Sequence, residues 1–195
     1  MENKPPIKYI IFDCFGVIGT EVYWPWLQKM DANFEQNKSQ YDIIANQCDK
    51  GEIDIEEYAR KISELTNLKQ EEVIPLMQEQ FVLKKEVVEL ISQLKQNYKI
   101  GLISDANEDF VNSLFRKHSL FQYFDEMLIS SKLHVTKAGP EIFKIFLDRA
   151  QTKPNDMIFI DDNPRNTEIA KSLGIHGISY SDFDQFQSEL YMLIN

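Results

Sequence analysis

A chain of 195 residues, 43% hydrophobic and 27% charged, is long enough to bury one substantial core with a small insert and too short for two full enzymatic domains. No segment approaches the roughly 18 to 20 apolar residues of a membrane span, and a formal net charge of -10 disfavours nucleic acid or an anionic membrane as partner, because polyanion affinity depends on clustered Lys and Arg. The apolar run Tyr9-Ile10-Ile11-Phe12 is ended by Asp13 before it reaches signal-peptide length, and Cys14 and Cys48 lack metal-ligand spacing, so the expected compartment is the cytoplasm, with both cysteines as thiols.

Residues 8–12 form a short run rich in Ile and Tyr that stops at Asp-Cys-Phe-Gly, which predicts a buried strand followed by a turn. From about 21 to 81 the pattern changes to helical spacing, with Tyr58, Ile62 and Leu65 on one face. Lys50-Gly51-Glu52 and Thr66-Asn67-Leu68 read as breaks, and Asp54 followed by Glu57 resembles a capping pair, so three or four short helices are expected. A helix is predicted over 84–96, with Val87, Leu90, Ile91 and Leu94 in step, then a strand over 98–103. Helices over 108–118, 140–150 and 165–173 alternate with strands over 126–129, 157–160 and 176–180. Such alternation predicts an α/β fold with a mainly parallel sheet covered by helices on both faces, interrupted after its first strand by a helical insertion.

In a parallel sheet the carboxyl ends of the strands share one edge, and ligands bind in the crevice there. The first strand ends at Asp13, the second at Ser104 and Asp105, and the strand over 157–160 at Asp161 and Asp162, while Lys137 falls in the loop after the third strand. Clustered carboxylates repel or raise one another's pKa unless a cation balances them. Lys137 and a divalent metal would do so, and magnesium (Mg2+) suits a site of carboxylates, waters and a substrate phosphate. Ser104 and backbone amides would bind the phosphate oxygens.

Four segments in this order resemble the haloacid dehalogenase-like (HAD) hydrolase superfamily: Tyr9-Ile-Ile-Phe-Asp13-Cys-Phe-Gly-Val-Ile18, Ile100-Gly-Leu-Ile-Ser104-Asp, Lys137-Ala-Gly-Pro-Glu-Ile-Phe143 and Ile158-Phe-Ile-Asp161-Asp162-Asn-Pro-Arg-Asn166. The resemblance covers essentially the whole chain. It implies a Rossmann-like three-layer core made of 1–19 and 84–195, with 20–83 as a helical cap inserted between the first and second motifs. It further implies Asp13 as nucleophile and metal ligand, the Phe15 backbone carbonyl on the metal, Asp162 as ligand with Asp161 in support, and Ser104 and Lys137 on the phosphate, with Asp105 beside them. The expected chemistry is covalent, through an aspartyl intermediate.

One position departs from the pattern. Superfamily phosphatases usually carry a second aspartate two residues after the nucleophile, to protonate the leaving oxygen and later activate water; here Phe15 stands there. A phenyl ring transfers no proton, and general acid-base catalysis is worth roughly 10²- to 10⁴-fold. The favoured expectation is a magnesium-dependent phosphatase of a small phosphorylated metabolite, its acid drawn from elsewhere. The alternatives are a 2-haloacid dehalogenase, whose halide leaves without a proton, and a catalytically impaired binding or regulatory protein.

Each residue also has a plainer role open to it. Asp13 is a good turn residue, and Ser104-Asp105 and Asp161-Asp162-Asn163-Pro164 are good helix caps. Tyr23, Trp24 and Trp26 are expected as packing groups ahead of cavity walls. Arg165 is assigned to a helix surface, and His118, His134 and His176 are given no role because no two share ligand spacing.

Overall fold

The computed structural model describes residues 6–194, so residues 1–5 of the expected core segment and its last residue, Asn195, lie outside the described chain. Among the described residues five strands form one parallel sheet: β1 (Tyr9–Phe12), β2 (Lys99–Ser104), β3 (Glu126–Ile129), β4 (Met157–Asp161) and β5 (His176–Ser179), in the order β3-β2-β1-β4-β5. Four helices, α1 (Tyr23–Met30), α2 (Phe34–Asp49), α3 (Ile55–Leu65) and α4 (Gln70–Glu79), lie between β1 and α5 (Lys85–Leu94). Then α6 (Glu108–Lys117) follows β2, α7 (Ser130–Leu133) and α8 (Glu141–Ala150) follow β3, α9 (Pro164–Ser172) follows β4, and α10 (Phe183–Ile194) follows β5.

Because a strand points alternate side chains to opposite faces, β1 supplies two layers at once. Ile10 and Phe12 join a cluster with α5, α6 and α10, which contribute Leu90, Phe110 and Phe186, whereas Ile11 joins Phe143, Phe146 and Phe159 under α8 and α9. Burial on both faces explains why the strand reads as an uninterrupted apolar run, and each such fully buried Ile or Phe contributes roughly 1.5–3 kcal/mol. The α/β architecture is as expected, with predicted bounds shifted by a residue or two.

The insertion holds four helices, broken where Lys50-Gly51-Glu52 and Thr66-Asn67-Leu68 stand, and Asp54 caps α3 by accepting the Glu57 N–H at 2.8 Å. One correction concerns length: α2 runs for 16 residues, not a short helix, because its buried stripe is thin (Phe34, Tyr41, Ile44, Cys48) and the rest of its surface is polar. Two helices had no counterpart in the sequence reading. The single turn α7 is too short to show a period, and α10 buries only Phe186 and Leu190.

The end of α2 is tied to the segment after β3. Ser130 Oγ donates to the Asp49 carbonyl at 2.6 Å, His134 Nδ1 lies 2.8 Å from the Lys50 carbonyl, and Gly51 (φ +66°) packs so closely that a methyl group on it would stand 2.2 Å from the Ser131 carbonyl oxygen. Only glycine tolerates both that dihedral and that approach. Strand order also reverses beside β1, since the chain leaves it for β2 on one side and returns as β4 on the other. This is the position at which an open parallel sheet offers a crevice.

Candidate active site

Asp13 follows β1 directly, its N–H donating to the Ile160 carbonyl on β4 at 2.9 Å, so the first and fourth strands deliver Asp13 and Asp161 side by side. Lys137 reaches between them: its Nζ lies 2.8 Å from Asp13 Oδ1 and donates to Asp161 Oδ2 at 2.6 Å. All three are almost wholly buried, at 6% exposure for Asp13, 0% for Asp161 and 2% for Lys137. The lysine is set by its own backbone, whose N–H donates to the Asp105 carboxylate at 2.9 and 3.1 Å. Asp161 is fixed in turn by the Asn163 N–H at 2.8 Å and Asn166 Nδ2 at 3.0 Å. Gly16 adopts φ +81°, and a methyl group there would stand 2.1 Å from Asp162 Oδ2. The loop after β1 thus meets Asp162 at a distance that excludes any side chain. Lys84 Nζ donates to the Gly16 carbonyl and stands 4.2 Å over the Tyr180 ring.

Asp13, Asp161 and Asp162 each bring one carboxylate oxygen to within 4.8 Å of the others. Burial pushes Asp13 well above the ordinary carboxylate range; Lys137 opposes this, and Asp161 and Asp162 add to it. Burial works against the Lys137 charge too, but Asp13, Asp161 and Asp105 together raise its pKa and keep it protonated. Burial likewise raises Asp162 and Asp105. One lysine against this many carboxylates leaves the pocket with excess negative charge. The donors are all oxygens, which suits a hard divalent cation such as magnesium.

A cavity of about 380 Å³ opens above this cluster, and Asp13, Phe15, Asp105, Lys137, Asp161 and Asp162 all line it. Ser104 does not. It ends β2, is 0% exposed, and its hydroxyl has no hydrogen-bond partner among the described residues. Such an unpaired buried hydroxyl is costly unless something satisfies it. Phe15 turns its ring into an aromatic group, edge-on to Phe81 at 5.8 Å and tilted against Phe110 at 6.1 Å.

Asn163, within one of the two expected cap segments, caps α9 by accepting the Arg165 N–H, whereas α6 is capped by Asn107 in place of Ser104 or Asp105. Tyr23 and Trp24 pack against the core as expected and also line the cavity, while Trp26 is 1% exposed in the core. Arg165 is exposed and off the cavity wall. The sequence reading missed the other half of the wall. Asp42, Ala45, Asn46 and Asp49 of α2 line it together with Glu21. Their spacing of three, four and seven residues was a signal, but a polar stripe at helical period also marks an ordinary solvated face.

Comparison with known proteins gives a consistent result. The family profile of haloacid dehalogenase-like hydrolases matches residues 7–174. A D-ribitol-5-phosphate phosphatase of Bacteroides thetaiotaomicron is 26% identical over 97% of this chain and 99% of its own length. The crystal structure of a HAD family enzyme from the same organism superposes with a TM-score of 0.80 at 25% identity, covering 96% of this chain and 99% of that one. Its wild-type complex with magnesium and inorganic phosphate superposes with a TM-score of 0.77 at 23% identity, covering 95% and 99%.

Proposed function

Because the chain belongs to the haloacid dehalogenase-like hydrolases, we propose that this hydrolase is a magnesium-dependent phosphatase of a small phosphorylated metabolite, acting in the cytoplasm through a phosphoryl intermediate on Asp13. The observation that carries this reading is the convergence of Asp13, Asp161 and Asp162 on one point beside a buried Lys137. A dehalogenase has no need of a carboxylate cluster in excess of its lysine, whereas a metal-assisted phosphatase does.

Asp13, Asp162 and the Phe15 carbonyl would hold the magnesium, with Asp161 orienting Lys137 and the loop around it. When bound, the metal would neutralise charge on the transferring phosphoryl group. Lys137 would hold a phosphate oxygen, oppose protonation of Asp13 and aim its carboxylate. The unpaired Ser104 hydroxyl would supply a further donor to phosphate, with Asp105 setting the lysine. Asp13 would attack phosphorus through a carboxylate oxygen, and the ester oxygen would leave. Residues 20–83 would act as a cap over the core of 1–19 and 84–195, excluding water and choosing the substrate. On that side Tyr23 and Trp24 offer aromatic faces and Asn46 a polar amide, a lining suited to a phosphorylated sugar or polyol and in keeping with the name of the Bacteroides relative.

The test is phosphate release from alkyl (sugar and polyol), aryl and acyl phosphates, with and without magnesium, for the protein and its Asp13→Asn variant, with 2-haloacids in parallel. Metal-dependent release that Asp13→Asn abolishes is expected. Metal-independent halide release would refute it, and silence on every substrate would leave a binding or regulatory role.

A further inference from the structure

Most carboxylates in the cavity are already engaged. Asp13 and Asp161 meet Lys137, Asp105 accepts the Lys137 N–H, and Glu21 accepts the Tyr23 N–H at 2.8 Å at the start of α1. Asp42 is exposed and stands 3.6 Å from Lys38. Asp49 differs. It is half-buried on the cavity wall, and its tie to the core runs through its backbone carbonyl, so no donor among the described residues meets its carboxylate. Its place is nonetheless fixed, because the Ser130, His134 and Gly51 contacts hold the end of α2 against the segment after β3.

We propose that Asp49 is the general acid and base that the chain lacks at Phe15, supplied by the inserted segment in place of the nucleophile loop. This rests on the phosphatase reading above. In the first half-reaction an oxygen of Asp13 bonds to phosphorus, the bond from phosphorus to the ester oxygen breaks, and the Asp49 carboxyl gives that oxygen its proton, releasing an alcohol. In the second, the Asp49 carboxylate takes a proton from water as the water oxygen bonds to phosphorus. The bond from Asp13 to phosphorus then breaks, and inorganic phosphate leaves with Asp49 reprotonated.

The surroundings of Asp49 suit both duties. Burial and then Asp105 push its carboxyl up to about 7, with Lys137 opposing and Glu21 adding. A general acid-base works best with a pKa near the working pH. As the last residue of α2, it also sits at the negative end of that helix, where a charged carboxylate is disfavoured. The other titratable groups facing it are Tyr23 of α1, Cys48 beside it and Tyr58 of α3, all with pKa values raised by burial first. The nearby α7 offers the Ser130 hydroxyl, while its Lys132 turns to Glu108.

Asp49→Asn, checked for native circular dichroism and thermal midpoint, would be assayed with magnesium on an alkyl phosphate and on p-nitrophenyl phosphate, whose leaving group needs no proton. Turnover of the alkyl ester should fall by about 10²- to 10⁴-fold. The aryl ester should instead give a stoichiometric burst of nitrophenol as the phospho-Asp13 form accumulates for want of a base. The wild-type alkyl rate should decline above a midpoint near 7, and the variant should lack that limb. Independently of activity, infrared difference spectra of the metal-free protein should show a carboxylic acid band titrating near 7 that Asp49→Asn removes. Equal losses on both esters without a burst, or no loss, would overturn the assignment, as would absence of that band. Wild-type inactivity on every phosphate would overturn the phosphatase reading itself, and this inference with it.

Discussion

Replacing Lys137 by Met removes the one cation among the described residues within bonding distance of two buried carboxylates, while nearly conserving side-chain length. Its ammonium lies 2.8 Å from Asp13 and 2.6 Å from Asp161, both at most 6% exposed. Removing one partner of a buried ion pair costs about 3–5 kcal/mol, chiefly because the other charge is stranded. With two carboxylates stranded, the loss should lie near the top of that range at about pH 8. Protonation offers relief. Asp13 is already held well above its ordinary range, and loss of the lysine raises it further. The folded variant then binds more protons than the unfolded chain between the ordinary carboxylate pKa and the raised one, so its stability falls as pH rises through that window, by up to about 1.4 kcal/mol per pH unit. Urea denaturation of metal-free wild type and variant between about pH 5 and pH 8 would measure this, with the gap between them narrowing toward acid. Parallel pH curves, or a loss under about 1 kcal/mol at the alkaline end, would refute the electrostatic account of the pocket.

Gly16→Ala should weaken magnesium binding by about tenfold or more, since displaced metal-shell partners cost about that much; a methyl group there meets Asp162 Oδ2 at 2.1 Å, and isothermal calorimetry would read the loss. Phe15→Asp should give no gain in turnover if Asp49 already transfers the proton, and should lose about 1–3 kcal/mol of stability as the two aromatic contacts with Phe81 and Phe110 disappear; a faster enzyme would count against the Asp49 assignment. Magnesium at about 100 times its dissociation constant should stabilise the protein by about 2.7 kcal/mol, and chelation should reverse the shift in a thermal melt; an unchanged melt would count against a resident metal.

The core was legible because a strand buried on both faces must be apolar throughout, as 9–12, 100–103 and 157–160 are, and because each such run ends in a polar Asp or Ser at the carboxyl edge of the sheet. The ordered motifs hold Asp13, Asp105, Lys137, Asp161 and Asp162, and these five line one cavity. The insertion was legible as helix but not as wall. Whether Asp49 faces water or a cavity depends on how α2 leans on α7, and that is settled by Ser130, His134 and Gly51, contacts far apart in sequence with no period to announce them. Ser104 shows the converse limit: a position at the right strand end does not say whether the hydroxyl faces the cavity or the interior.

The strand order has a bearing on how the molecule comes into being. Among the described strands β1 comes earliest in the chain and is the central one in the sheet, with Tyr9 paired to Lys99 on one side and to Met157 on the other. Neither neighbour exists when β1 leaves the ribosome, and closing contacts of such long sequence separation is slow. A chain halted before β4 has the Asp13 side chain but no Asp161 or Asp162 to complete the cluster. Activity should therefore appear only once β4 is in place, and a nascent or truncated chain that stops before it would have none to misdirect.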